Sequence, residues 1–385
     1  MWVMENLAYF DNAATTFPKP ECVYTAMDAF ARTNGVSLGR GQHVLSASAS
    51  ALADNTRELL LELFHCSNKK VVFTNTATEA LNIIIKGISV PDGANVYISP
   101  FEHNAVTRTL NYISQNTDFN LIQLETDSKT LMLDLDKIKS QFVEQAPFCV
   151  IVSHISNVTG SIAPIEQIFS LAKKYKAITI ADMCQSAGLL DTDISSNNYD
   201  YVVFAGHKTL YGPLGISGFI SAFPQKLDPI IIGGTGVESA NQFMPEDIPI
   251  KYEAGSHNTT AIAGLNASLK WILEVGIDTI RRKEQENYNR LCDILDKQNN
   301  INYFRPTDHA GVVSCLFDGY SSDEIGQILS QNNIAVRTGL HCSPYAHKYI
   351  GTFPAGTVRF SVGFFNNESD FEKLNEILNY INENS

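Results

Sequence analysis

The sequence predicts an α/β fold built on a large, mostly parallel sheet with a smaller α+β unit behind it in the chain. Short apolar runs alternate with helical patterns from about residue 71 to 225, and several of those runs end in polar turns. Size agrees, since 385 residues suit one large domain plus a smaller one with ample core. Taken in order, residues 20–33 and 44–65 have helical spacing with alanine-rich faces. The runs Val71–Thr74, Val96–Ser99, Cys149–Ser153, Ala177–Ala181 and Tyr201–Phe204 then read as strands. After the glycine-rich Ile231–Gly236 and a loop to Thr260, one long helical pattern spans roughly 261 to 298. Its Ile280-Arg-Arg-Lys-Glu-Gln-Glu286 stretch reads as a solvated helix face. The remainder alternates strand Gly311–Phe317, helix Ser322–Gln331, strand Val358–Phe364 and helix Ser369–Ile381. Ser369-Asp-Phe-Glu372 has the spacing of a cap for that last helix.

Composition narrows the function class. Hydrophobic content of 44% and charged content of 18% are ordinary for a globular protein. No apolar run approaches the length of a membrane span. The opening Met-Trp-Val-Met-Glu-Asn lacks a basic segment followed by an apolar one, so no secretory signal is expected. A net charge of −13 argues against direct, nonspecific nucleic-acid binding. The seven cysteines show no CxxC and no paired spacing, which reads as a reduced, cytoplasmic chain without a metal site. Cys149, Cys184 and Cys315 read as core fillers in apolar strands. Cys342 differs: it lies in a polar loop between His341 and Ser343, with Arg337 and His347 nearby, a setting that favours a thiolate.

The chemistry gathers at strand ends. Phe204-Ala-Gly-His207-Lys208-Thr-Leu-Tyr-Gly-Pro-Leu-Gly215 places a lysine after a buried strand. A buried ammonium must be paired or lose its charge. A Schiff base with pyridoxal 5'-phosphate (PLP) removes it; a surface lysine in a Gly/Pro turn is the plainer alternative. Thr78 with Glu79 opens a helix after the first strand, where free N–H groups and the dipole favour a phosphate. His103 follows the second strand, and its flat ring suits stacking on a flat cofactor. Asn157 follows the third, placed either to donate to a phenolic oxygen or to hold the turn before Gly160. Asp182 and Gln185 close the fourth, and a buried carboxylate there needs a cation such as a protonated pyridine nitrogen. Each residue has an ordinary structural explanation alone. Together they occupy the carboxyl edge where open α/β sheets hold ligands.

These motifs resemble the fold-type I PLP-dependent transferases of the class V aminotransferase superfamily, and within it the cysteine desulfurases and selenocysteine lyases. The resemblance runs from Tyr9-Phe-Asp-Asn-Ala-Ala14 to Val358-Arg-Phe-Ser-Val362. Arg337-Thr-Gly-Leu-His-Cys342 is similar to the Arg-Thr-Gly-x-His-Cys signature of the SUF-type (group II) desulfurases, and unlike the longer Ser/Gly-rich loop of the NifS-like group. It implies a large PLP-binding domain over 15–260 with a seven-stranded-type sheet. A small domain of 1–14 plus 261–385 would carry the cysteine loop. By the same resemblance Lys208 is the Schiff-base lysine, His103 stacks on the ring, and Asp182 pairs with the ring nitrogen. Asn157 and Gln185 flank the phenolic oxygen, and Thr78 and His207 are phosphate ligands. Ser256 replaces a usual threonine that reaches the phosphate from the partner of a homodimer. Arg359 binds the substrate carboxylate, with Arg337 and Asn157 beside it, and the catalytic set is Lys208, Cys342 and His103. The implied reaction converts L-cysteine to L-alanine, leaves sulfur as a persulfide on Cys342 and passes it to a sulfur-acceptor protein. Iron–sulfur assembly, RNA or DNA thio-modification and cofactor synthesis all draw on such chemistry. A selenocysteine lyase, a class V aminotransferase and a non-enzymatic sulfur-relay scaffold remain alternatives. The segment Gly35–His43 is expected as an ordered loop near the cofactor entrance. The chain departs from the family at Ala77 and Ala205, where hydroxyls are common, and at Leu340, where many SUF-type enzymes have histidine.

Overall fold

The computed structural model describes residues 7–383 except Arg40 and Gln42, so those two positions of the 35–43 loop, and residues 1–6 of the expected small domain, lie outside it. The chain opens with β1 (Ala8–Tyr9), α1 (Glu21–Asn34), α2 (Val44–Leu63), β2 (Lys70–Thr74) and α3 (Ala77–Gly87). Then come β3 (Asn95–Ile98), α4 (Asn104–Ile113), β4 (Asn120–Gln123), the short pair β5 (Thr126–Asp127) and β6 (Met132–Leu133), and α5 (Leu135–Glu144). β7 (Cys149–Ser153), α6 (Ile165–Lys173), β8 (Ile178–Asp182), β9 (Tyr201–Ala205) and β10 (Ser217–Ser221) complete the large sheet. α7 (Thr259–Val275) and α8 (Ile277–Leu295) follow, then β11 (Ile301–Tyr303), β12 (Val312–Phe317) and α9 (Ser322–Gln331). The chain finishes with β13 (Ile334–Ala335), β14 (Arg337–Gly339), α10 (Pro344–Tyr349), β15 (Thr357–Ser361) and α11 (Glu368–Glu383).

The large sheet has seven strands in the order β2-β10-β9-β8-β7-β3-β4. All neighbours are parallel except β10, which runs antiparallel to both β2 and β9. Its central strands β7, β8 and β9 are buried on both faces, as a helix-covered parallel sheet requires. Alternation sorts the side chains: Val150, Val152, Val202 and Phe204 enter the core beneath α2 and α7, while Cys149, Ile151, Tyr201 and Val203 enter the one beneath α3 and α4. A second, four-stranded antiparallel sheet, β11-β12-β15-β14, packs with α8, α9 and α11 around its own core. Ala8 and Phe10 join that core, and β1 pairs with β13.

Several expectations shift. The pattern over 261–298 is two helices, because Gly276 sits at φ 84 between them. α7 buries Leu265, Leu269 and Ile272 under the large sheet, while Tyr288, Leu291 and Leu295 of α8 enter the small core. On that packing we propose that the domain boundary falls between these two helices rather than at 260. The solvated face at 280–286 contains two buried residues, Ile280 and Glu284, and Glu284 accepts from Tyr211 Oη at 2.8 Å. Ser369 does not cap α11: Asn367 Oδ1 accepts the Ser369 N–H and Asp370 Oδ2 accepts the Asn367 N–H. Cys184 is buried in the turn after β8, not in a strand. Among the described residues no helix is long and apolar enough to cross a membrane.

Candidate active site

β2, β3, β7, β8 and β9 point the same way, and the turns after them line a cavity of about 280 Å³. Thr78, His103, Asn157, Asp182, Gln185, His207, Lys208, Arg337 and Arg359 border it. Of the expected residues, Cys342 and Ser256 do not. Cys342 borders an adjoining groove of about 330 Å³ that shares Thr78, His103 and Ala105 with the cavity. Ser256 borders a separate cavity with Arg57 and Glu253, whose side chains pair at 2.8 Å.

α3 starts at the cavity wall, which Thr76, Ala77 and Thr78 border. Its cap is Thr76, not Thr78: Thr76 Oγ1 accepts the Glu79 N–H at 3.1 Å, and Glu79 Oε2 accepts the Asn75 N–H at 3.0 Å. That leaves Ala77 and Thr78 in the first turn, where backbone N–H groups have no helical acceptor and attract anions. His103 caps α4 through Nδ1, which accepts the Ala105 N–H at 3.0 Å, so the neutral ring carries its proton on Nε2. Burial, reinforced by the Lys208 charge, pushes the His103 pKa down to about 4. Asp182 is buried; its Oδ1 accepts the Cys184 N–H at 3.0 Å, and no cation pairs with it among the described residues. Gln185 Nε2 donates to the Ala13 carbonyl at 2.8 Å.

The lysine turn is pinned through one peptide. The His207 carbonyl accepts from Thr15 Oγ1 at 2.9 Å, the Thr16 N–H at 3.1 Å and Lys19 Nζ at 2.7 Å. Burial pushes the Lys19 pKa down to about 7 and that of His207 to about 3. His207 Nδ1 is buried without a partner. An unpaired buried carboxylate, open helix N–H groups and an orphaned imidazole nitrogen around one lysine form the donor set for a phosphorylated pyridine aldehyde. The residues fit PLP. Ala77 and Ala205 also border the cavity and offer no hydroxyl there.

The other wall comes from the small sheet. Arg337 and Arg359 face each other across β14 and β15. Arg359 is 1% exposed; Nη2 donates to Asp11 Oδ1 at 2.7 Å and Nη1 to the Asn157 carbonyl at 3.0 Å, while Nε has no partner. Arg337 Nη2 donates to Cys342 Sγ at 3.0 Å. Sequence reasoning assigned no role to Asp11, Lys19 or Glu102. Asp11 lay inside the quoted Tyr9–Ala14 motif, and nothing local marks Lys19. Glu102, directly before His103, is fully buried and accepts from Ser99 Oγ at 2.6 Å, the Ser153 N–H at 2.6 Å and Ser153 Oγ at 2.9 Å. Burial pushes its pKa up to about 7. An acid between an apolar strand and a helix start was the signal that would have found it.

The aminotransferase class-V family model matches residues 8–374. This chain belongs to the class-V aminotransferase family. Within the family it is 30% identical to a probable cysteine desulfurase of Xylella fastidiosa, over 96% of this chain and 89% of that protein. It is 27% identical to a probable cysteine desulfurase of Halalkalibacterium halodurans, over 96% of this chain and 91% of that protein. The apo structure of a cysteine desulfurase from Thermococcus onnurineus is similar at a TM-score of 0.89 and 28% identity, covering 98% of this chain and 95% of that one.

Proposed function

We propose that this chain is a PLP-dependent cysteine desulfurase that converts L-cysteine to L-alanine and captures the sulfur as a persulfide on Cys342. The observation that carries this reading is the convergence of Lys208, Asp182 and Arg359 on one cavity with a thiol at its edge. The named relatives and the structural neighbour, cysteine desulfurases over nearly their whole length, support it. Lys208, Asp182, His207 and the α3 N-terminus would hold PLP. Bound there, PLP supplies the electron sink for bond breaking at the substrate. Arg359 takes the substrate carboxylate, for which its Nε is the free donor. The Lys208 amine carries the Cα proton. Cys342 attacks the substrate sulfur: its Sγ gains an S–S bond as the substrate's C–S bond breaks. The net change is L-cysteine plus the Cys342 thiol to L-alanine plus the Cys342 persulfide, which thiol exchange then passes to an acceptor protein. The short Arg337–Cys342 turn supports a SUF-type desulfurase. Ser256, on a cavity of its own, supports a homodimer in which it serves the partner's site.

The test is mass spectrometry after L-cysteine is added to purified protein. One extra sulfur is expected on the peptide with Cys342 and none on Cys184, and Cys342→Ser should keep PLP but release little alanine. Wild-type desulfuration by Cys342→Ser would remove the nucleophile and favour the selenocysteine lyase reading, in which selenium leaves without thiol attack.

A further inference from the structure

Cys342 sits in a turn that its own residues resist. His341 and Cys342 have φ of 48 and 59, two consecutive side-chain-bearing residues in the left-handed region. That conformation is unfavourable for residues with a Cβ, so something must hold it. Besides the Ser343 N–H to Leu340 carbonyl bond at 2.8 Å and the His341 Nε2 to Thr357 Oγ1 contact at 2.9 Å, three bonds hold it. Asn157 Nδ2 donates to the His341 carbonyl at 2.7 Å, and Ser343 Oγ donates to Asn157 Oδ1 at 2.8 Å. The Asn104 N–H donates to the Cys342 carbonyl at 2.7 Å. Asn157, His341 and Ser343 are at most 7% exposed. Both ends of one amide are therefore used on the two neighbours of the thiol.

The same asparagine holds the other wall, since its backbone carbonyl accepts Arg359 Nη1 at 3.0 Å. The thiol's turn and the arginine that faces the cavity hang on one residue. Ser343, like His341, borders neither cavity nor groove, whereas Asn157 and Cys342 do. We infer that Ser343 is a positioning residue: through Asn157 it clamps the strained turn and sets where Cys342 Sγ lies relative to the substrate. This rests on the desulfurase reading for its consequence in turnover, but not for the clamp itself.

The experiment uses the holoenzyme and Ser343→Ala. Removing the hydroxyl leaves a buried acceptor unpaired and frees one side of the turn, a loss worth about tenfold in the clamped population. Iodoacetamide labelling of Cys342, read by mass spectrometry against exposed Cys22 in the same sample, should accelerate about tenfold. The kcat for alanine formation should fall by a similar factor while KM for cysteine stays near the wild-type value, because carboxylate binding is not altered. Labelling and kcat both at wild-type levels would overturn the proposal, as would a raised KM with kcat unchanged. If the wild type forms no alanine from cysteine, the desulfurase reading fails while the labelling still decides the clamp. Should Ser343→Ala not fold, Asn157→Asp removes the donor to the His341 carbonyl and keeps the acceptor for Ser343. Faster labelling of Cys342 in that variant supports the clamp, and unchanged labelling refutes it.

Discussion

Histidines set the acid limit of this protein. Burial is the first cause of the low pKa values of His103 and His154, each about 4, His207, about 3, and His341, about 2. A depressed pKa means the folded state refuses a proton that the unfolded chain accepts near 6.5. Their contribution to stability is thus present above pH 6.5 and lost as pH falls toward 4. Glu102 and Glu284 act the other way: burial raises both to about 7, so their contribution is present below pH 4.5 and lost as pH rises through 7. Four histidines outweigh two glutamates between pH 6.5 and 4.5. Each uncompensated group is worth about 1.4 kcal/mol per pH unit. The urea midpoint of the cofactor-free protein should therefore drop from pH 6.5 to pH 5, and a flat or rising midpoint would contradict the burial of these rings. Arg359 shows the same economy of charge. It is buried, yet Asp11 and the Asn157 carbonyl hold two of its nitrogens and leave Nε for a ligand.

At the scale of elements, the long pattern over 261–298 misleads because periodicity carries no sign of a break in direction. Gly276 supplies it with φ 84 and ψ 135, a conformation residues with a Cβ avoid. A Cβ there would meet nothing nearer than Thr279 Oγ1 at 4.0 Å, so space is not the obstacle. Gly276→Ala should cost about 1–3 kcal/mol through backbone strain alone, read as a lower urea midpoint. Unchanged stability would mean α7 and α8 can join without the left-handed residue. The break lets α7 cover the large sheet while α8 turns away to build the small one.

For the whole molecule, the site is a meeting of two sheets. The large sheet brings Thr78, His103, Asp182 and Lys208; the small one brings Arg337 and Arg359. Ser256 stands apart on its own cavity, which is the geometry expected if a second copy completes the site. Mixing Lys208→Ala and Ser256→Ala protomers tests this. A mixed dimer holds one site with both residues intact, so alanine formation should exceed that of either parent. If Ser256 served its own subunit, no mixed site would be whole and no gain would appear.

Residue order alone determined five of the seven strands of the large sheet, all but β4 and β10, and the polar residues at their ends, because apolar runs and polar turns are local properties. It also carried the family, since Lys208 and Cys342 lie in short contiguous motifs. Long-range packing decided the rest. Asp11 meets Arg359, Lys19 meets the His207 carbonyl, and Asn157 meets His341 and Ser343 only after two sheets close on each other. Glu102 shows the divide within one strand end: its place beside His103 was in plain view. Its three donors come partly from Ser153, 51 residues away, and a hydrogen bond across such a separation leaves no local pattern to read.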